Sequence, residues 1–280
     1  MDVGGTFTDL AVFDTDAGEL RFAKTPSTPE NPALGVSNGL QQLLKDTGQR
    51  PSDIVYFIHG TTVALNTVLE RSGSRTALVT TAGFRDVLQI GRQNRPHLYD
   101  WSVRRPDPLV PRRLRFEVPE RVLHTGEVLE TLPERAIHSL IDKLQQAELD
   151  AVAVCLLHSY ANPIHEKALG DAIREALPDL RLSLSCDVLP EFKEYDRMST
   201  TAINAYVSGR TGTYLAGLQK TLQRVGVTSG VHVMQSNGGV VSANAAAERP
   251  VHTLLSGPAA GVIGGTAIAS MAGEPNSITI

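Results

Sequence analysis

The apolar positions of this chain recur first at strand spacing, then at helix spacing, and then in alternation between the two. Residues 9–15 (DLAVFDT) read as a strand that stops at an Asp16-Ala17-Gly18 turn, and residues 19–25 (ELRFAKT) resume at hairpin distance. Residues 31–46 bring Leu34, Leu40, Leu43 and Leu44 close to one helical face. The pattern then becomes βαβ. A strand over 54–60 (IVYFIHG) leads to a helix over 61–73 closed by a C-terminal glycine, and a strand over 75–81 (RTALVTT) follows. Residues 91–119 are rich in Arg and Pro and hold the only Trp, which predicts a long surface loop or small insertion.

Regular alternation returns at residue 132. A helix over 132–149 gathers Leu132, Ala136, Ile137, Leu140, Ile141 and Leu144 into one stripe, and 150–159 (DAVAVCLLHS) is a fully buried strand. A second helix over 162–178 turns Ile164, Leu169, Ala172 and Ile173 inward, with Pro163 near its first turn. Residues 181–188 read as a strand and 195–226 as a long helix. A strand over 231–236 then runs into Asn-Gly-Gly, a Gly/Ala-rich segment spans 256–273, and SITI at the end reads as a further strand. The texture changes near residues 185–194, which marks a possible boundary, and the fold class is α/β.

Composition narrows the function classes. With 41% hydrophobic and 20% charged residues over 280, the chain is long enough for a well-buried core of ordinary globular type. A formal net charge of -4 offers no electrostatic argument for nucleic acid or an anionic membrane. Two cysteines make neither a disulfide framework nor a zinc site; two reduced thiols fit a cytoplasmic location.

The most informative stretch is DVGGTFTD at 2–9. Gly4 and Gly5 permit positive φ and leave backbone N–H groups free to form a concave nest for phosphate oxygens. Thr6 and Thr8 add hydroxyls, and Asp2 suits a hydrated Mg²⁺ that bridges a carboxylate to phosphates. The same residues also make a plain hairpin turn, so the spacing alone leaves both readings open. HGTT (His59 to Thr62) lies at a strand-to-helix junction, where helix N–H groups favour an anion. Thr61 and Thr62 serve there as ligand donors or as helix caps, and His59 as a hydrogen-bond donor, an acid/base or a structural residue. QSNGG places Gly238 and Gly239 in a turn that approaches a nucleotide or allows tight packing; for Gly257 and Gly261 the packing reading is at least as good as the nucleotide one.

DVGGTFTD, HGTTVALNTVLER, LVTTAGFRDVLQIGRQNRPHLYD, VLPEFKEYDRMSTTAINAYV, MQSNGG and LLSGPAAGVIGG together resemble the hydantoinase A, 5-oxoprolinase and acetone carboxylase β-subunit family of the actin-like ATPase superfamily. These stretches run from residue 2 to residue 265, so the resemblance covers essentially the whole chain. It implies an actin-like (ribonuclease H-like) lobe with a mixed five-stranded sheet flanked by helices over 1–185, and the start of a second lobe over 186–280. Family members typically begin with a few more strand residues and continue into a second phosphate loop, so the sequence is expected to be a fragment. The implied activity is ATP- and Mg²⁺-dependent phosphorylation of a cyclic-amide carbonyl for ring opening. Alternatives are carboxylation of a ketone, or a non-catalytic nucleotide-binding module. The resemblance further implies Asp9 as a residue orienting water or metal beside Asp2, and a loop with Arg92 and Asn94 bordering the substrate pocket. It also brings Glu191, Glu194 or Arg197 toward the cleft. The implied partners are a small cyclic amide or ketone, further copies of the chain, and a hydantoinase B-like subunit.

Overall fold

The computed structural model describes residues 1–3, 6–28, 32–94, 97–100, 102–103 and 105–274, the backbone alone for 32–34. In chain order the first elements are β1 (Asp2–Val3), β2 (Phe7–Asp14), β3 (Glu19–Pro26), α1 (Pro32–Thr47), β4 (Phe57–Thr61), α2 (Val63–Leu69), β5 (Thr76–Thr81) and α3 (Val87–Ile90). Next come β6 (Arg115–Val118), β7 (Arg121–Val122), β8 (Val128–Glu130), α4 (Glu134–Gln146), β9 (Ala151–Cys155), α5 (Ile164–Ala176), β10 (Arg181–Leu184) and α6 (Ser185–Val188). The last are α7 (Glu194–Val225), β11 (Val231–Met234), β12 (Val240–Ser242), α8 (Ala243–Glu248) and α9 (Ser256–Met271). They form two compact units, residues 1–70 with 210–280 and residues 71–209, and α7 contributes to both.

The first unit carries a mixed sheet of order β12-β11-β4-β1-β2-β3. β1, β4 and β11 are parallel, and β2, β3 and β12 run antiparallel to their neighbours. The sheet has six strands where five were expected, because the hairpin partner β12 adds an edge. Alternation sets the faces: Val3 and Leu10 point into a core made with Leu40, Leu43 and Leu44 of α1 and with Leu215, Leu218 and Leu222 of α7. The reverse face of the hairpin leaves Phe7, Phe13, Leu20 and Phe22 exposed.

The second unit is built on a parallel sheet of order β10-β9-β5-β6. Every residue of β5 and β9 is buried. One face packs on Leu140 and Leu144 of α4 and Leu169 and Ile173 of α5; the other packs on Met198, Ala202 and Ala205 of α7. Burial on both faces explains why these strands read as continuous apolar runs.

Four local expectations need correction. The 91–119 stretch is not all loop, since β6 adds a parallel strand to β5 and Val110 and Leu114 enter the core. α2 ends at Leu69, and Arg71, not a glycine, takes the left-handed backbone after it. Gly73 instead makes room: a Cβ there would lie 2.3 Å from Cε1 and 2.6 Å from the carbonyl oxygen of Tyr206. Gly73→Ala is therefore expected to destabilise the chain by about 1–3 kcal/mol, read from the shift of a urea midpoint at unchanged slope. Ile164 is exposed, and His165 and Glu166 take the buried positions of that helix turn. Gly257 and Gly261 face open space rather than a packed neighbour. The expected strand at SITI lies outside the described residues.

Candidate functional site

The parallel strands of the first unit all end at one edge of the sheet. Val3 is opposite Thr61, and β11 runs beside β4 with Val233 opposite His59. The segments leaving β1, β4 and β11 therefore emerge together at the carboxyl ends of the strands, where open α/β sheets bind ligands. These segments are the DVGGTFTD, HGTT and QSNGG motifs.

Asp2 is opposite Gly60 on one side and Asp9 on the other, and Asp9 is opposite Lys24. Residues directly opposite share a face, so the two carboxylates stand side by side on the exposed face. A Cβ on Gly60 would come within 3.1 Å of Asp2 Oδ1, so the glycine leaves space for that carboxylate. Lys24 Nζ lies 3.4 Å from Asp9 Oδ1, an exposed pair worth under about 1 kcal/mol. Among the described residues no group of three or more His, Cys, Asp or Glu side chains could hold a metal. Mg²⁺ does not need one, because it keeps several waters and takes one or two carboxylates plus phosphates. The Asp2–Asp9 pair fits that requirement.

The hydroxyls divide. Thr6 is exposed, but Thr8 is fully buried and its Oγ1 is 3.1 Å from Ser27 Oγ. Strand alternation turns Thr8 to the core face opposite Asp9's, which removes it from the expected phosphate contacts. Gly4 and Gly5 lie outside the described residues.

The HGTT junction is held from beneath. The Val63 amide donates to Thr61 Oγ1 (3.3 Å) and the Asn66 amide side chain to Thr62 Oγ1 (3.3 Å), so both threonines brace the start of α2. Thr61 is buried and Thr62 half-buried. His59 is fully buried, with Nε2 2.8 Å from the Tyr214 hydroxyl and Nδ1 without a hydrogen bond among the described residues. Burial first, and the Met1 ammonium second, push its pKa down to about 3. Burial, the Tyr214 contact and a neutral imidazole favour the structural reading of His59 over the acid/base one. Burial likewise pushes the Tyr214 hydroxyl up. Tyr214 lies mid-helix, and nothing in the sequence pattern singled it out.

Side-chain hydrogen bonds tie the third motif to the second. Ser256, at the start of α9, donates from Oγ to the Thr61 carbonyl (3.2 Å). Ser236 donates to the His252 carbonyl (2.8 Å), and its Oγ accepts from the Leu255 amide (3.0 Å). The turn between them needs Gly238, whose φ is +86° and whose absent Cβ would lie 2.3 Å from Ile263 Cδ1. The Gly239 amide donates to Asn237 Oδ1 (2.8 Å).

Arg92 and Asn94 belong to the second unit. They line a cavity of about 490 Å³ with Arg105, Tyr195, Ser199 and Ile203. Arg92 pairs with Asp196 and lies 5.7 Å over the Tyr195 ring, and Arg105 donates to the Ile90 and Asn94 carbonyls. Arg197 does not reach a cleft. Its side chain is fully buried, paired with Glu194 and 3.8 Å from the equally buried Glu166. Glu191 is exposed.

The family model for the hydantoinase/oxoprolinase N-terminal region matches residues 1–177, and that for hydantoinase/oxoprolinase matches 197–280. The caprolactamase subunit alpha of Pseudomonas jessenii is 36% identical over 286 residues, covering 100% of this chain and 41% of that protein. The 5-oxoprolinase of Saccharomyces cerevisiae is 30% identical over 304 residues, covering 94% of this chain and 23% of that protein. Among solved structures, nucleotide-free acetone carboxylase superposes with a TM-score of 0.87 at 29% identity, over 97% of this chain and 40% of that one. The ATP-dependent caprolactamase of Pseudomonas jessenii gives 0.84 at 35% identity, over 96% of this chain and 40% of that one. This chain thus spans between 23% and 41% of the length of these relatives.

Proposed function

The chain belongs to the hydantoinase/oxoprolinase family, and from that premise we propose that it is part of an enzyme that uses ATP to open a cyclic amide. The observation that carries the reading is the row Gly60, Asp2, Asp9, set at the edge where three parallel strands deliver their loops. ATP, bound with Mg²⁺, supplies the phosphoryl group that turns an unreactive amide carbonyl into one open to water; one lactam, one ATP and two waters give the amino acid, ADP and phosphate. Such transfer asks the protein for positioning and charge neutralisation rather than covalent chemistry.

The roles of the chain's own residues follow. Asp2 and Asp9 hold the hydrated cation, with Asp9 also placed to orient a water. Thr6 and the Gly4-Gly5 backbone contact phosphate oxygens, as does the Gly238-Gly239 turn. Thr61, Thr62 and His59 fix the shape of the strand edge from below. Arg92 and Asn94 bind substrate at the second unit's cavity. The division into 1–185 and 186–280 as parts of two actin-like lobes belongs to the same proposal. So does a cytoplasmic location, which the two free cysteines fit. A second reading, ATP-dependent carboxylation of a ketone, draws on the acetone carboxylase likeness. Relatives named as subunits support a complex with further copies or a hydantoinase B-like partner.

Calorimetric titration of the chain with Mg-ATP tests the site. Binding in the micromolar range is expected, weakened at least tenfold in Asp2→Ala, a loss of about 1.4 kcal/mol or more. Equal binding by the two chains would remove Asp2 from the site. Stimulation of ATP turnover by caprolactam, 5-oxoproline or hydantoin, against ketones with bicarbonate, then separates the two reactions.

A further inference from the structure

The charges that line the second unit's cavity are unevenly met. Arg92 pairs with Asp196, so its charge is answered within the fold. Arg105 forms no ion pair among the described residues. Its Nη1 and Nη2 donate to the Ile90 and Asn94 carbonyls, which are neutral acceptors, and its remaining N–H groups have no acceptor there. Arg112 and Arg85, by contrast, pair with Asp86 and Glu117. The two carbonyls hold the Arg105 guanidinium in place, which reduces the ordering cost when a ligand takes it.

The backbone leaves room beside that guanidinium. Gly91 has a φ of +57°, where other residues are strained, and a Cβ there would lie 3.5 Å from Arg105 Nη1 and 3.8 Å from the Tyr195 ring. Any side chain at 91 would therefore stand against the cation. Val110, Ala202 and Ile203 give the cavity apolar surface, and its volume of about 490 Å³ suits a small metabolite. Gln89, also in the lining, accepts at Oε1 from Arg115 (3.3 Å), which leaves its NH2 group as a donor for an amide carbonyl. Asp107 lines the same cavity without pairing with Arg105, so it weakens the hold on an anion without cancelling the guanidinium.

We propose that Arg105 makes this cavity select cyclic amides that carry a carboxylate, with the carboxylate on the guanidinium and the ring carbons on Val110, Ala202 and Ile203. The selection rests on the reading of this cavity as the substrate site, and narrows it from cyclic amides in general to acidic ones. A guanidinium–carboxylate pair is charge-assisted and can form two parallel bonds. A neutral lactam or a ketone offers no such partner and leaves the cation facing carbonyl groups alone.

The test is an NMR titration of the full chain with 5-oxoproline and with 2-pyrrolidinone, the same ring without the carboxylate, followed at the amides of Gly91, Ser199 and Ile203. 5-Oxoproline is expected to bind about tenfold or more tightly than 2-pyrrolidinone. Arg105→Gln, a change at an exposed side chain, is expected to bring the two affinities within about twofold of each other. Equal binding of the two lactams by the unaltered chain would overturn the selection while leaving the cavity a substrate site. A preference that survives Arg105→Gln would take it away from Arg105 and overturn the proposal too. If neither lactam moves those three amides, the substrate reading of the cavity falls, and the selection with it.

Discussion

Arg197→Met is expected to lower the stability of the chain by about 3–5 kcal/mol. The guanidinium has no exposed surface. It donates to Ser185 Oγ (2.6 Å) and the Leu156 carbonyl (2.7 Å), and also to Ser159 Oγ and Glu194. Glu166 beside it is equally buried and accepts from the Leu156 amide (2.8 Å), Ser185 Oγ (2.6 Å) and the Cys186 amide (2.9 Å). These bonds join the end of β9, the start of α5, α6 and the start of α7. Methionine fills much of the volume but leaves a carboxylate in the interior without its cation, and that penalty exceeds the loss of any one hydrogen bond. The destabilisation is read from a urea transition. Adding Glu166→Gln to Arg197→Met returns part of the loss, because the unpaired charge is gone; additive losses would mean that the two side chains do not act as a pair.

The same residue marks where sequence reasoning stops. EFKEYDR reads as a charged, solvated run, and only the three-dimensional partners of Arg197, on four elements, reveal a core position. Elements whose burial follows from local period were legible: the β2–β3 hairpin, Leu40, Leu43 and Leu44 of α1, and the wholly apolar β9; the Leu34 side chain lies outside the described residues. β6 was not, because its four residues follow a stretch of Arg and Pro and are recognised only by pairing with β5. In the candidate site, the motif positions were legible but not their roles. Asp2, Asp9 and Gly60 depend on cross-strand register, which no single segment specifies. Thr8 and Asp9 were grouped although neighbours on a strand face opposite ways. Tyr214 is set by helix placement and leaves no pattern to read, while Ser256 stands in the LLSGPAAGVIGG stretch but owes its bond to the Thr61 carbonyl to helix placement.

Acid loosens the first unit through His59, and His59→Gln flattens that response. The folded imidazole has a pKa of about 3, against roughly 6.5 in an unfolded chain. Between those values the unfolded state holds a proton that the folded state refuses, so stability rises with pH across the window and is fully present above its upper limit. The slope reaches about 1.4 kcal/mol per pH unit, and the loss at pH 5 is about 2 kcal/mol. Other groups titrate in the same range, so the quantity to measure is the difference between the two chains. Urea transitions from pH 7.5 to 4.5 are expected to converge as pH falls, because glutamine keeps an amide near the Tyr214 hydroxyl but carries no titrating group. His59→Gln starts lower at pH 7.5, where a fitted buried ring has been replaced, and then loses less. Parallel curves would mean that His59 is protonated in the folded chain, and an acid/base role would return to it. Convergence has a consequence for catalysis: a group neutral down to about pH 3 cannot produce a rate limb near neutrality. Any such limb in the complete enzyme then belongs to another residue, with the HGTT junction acting through shape alone.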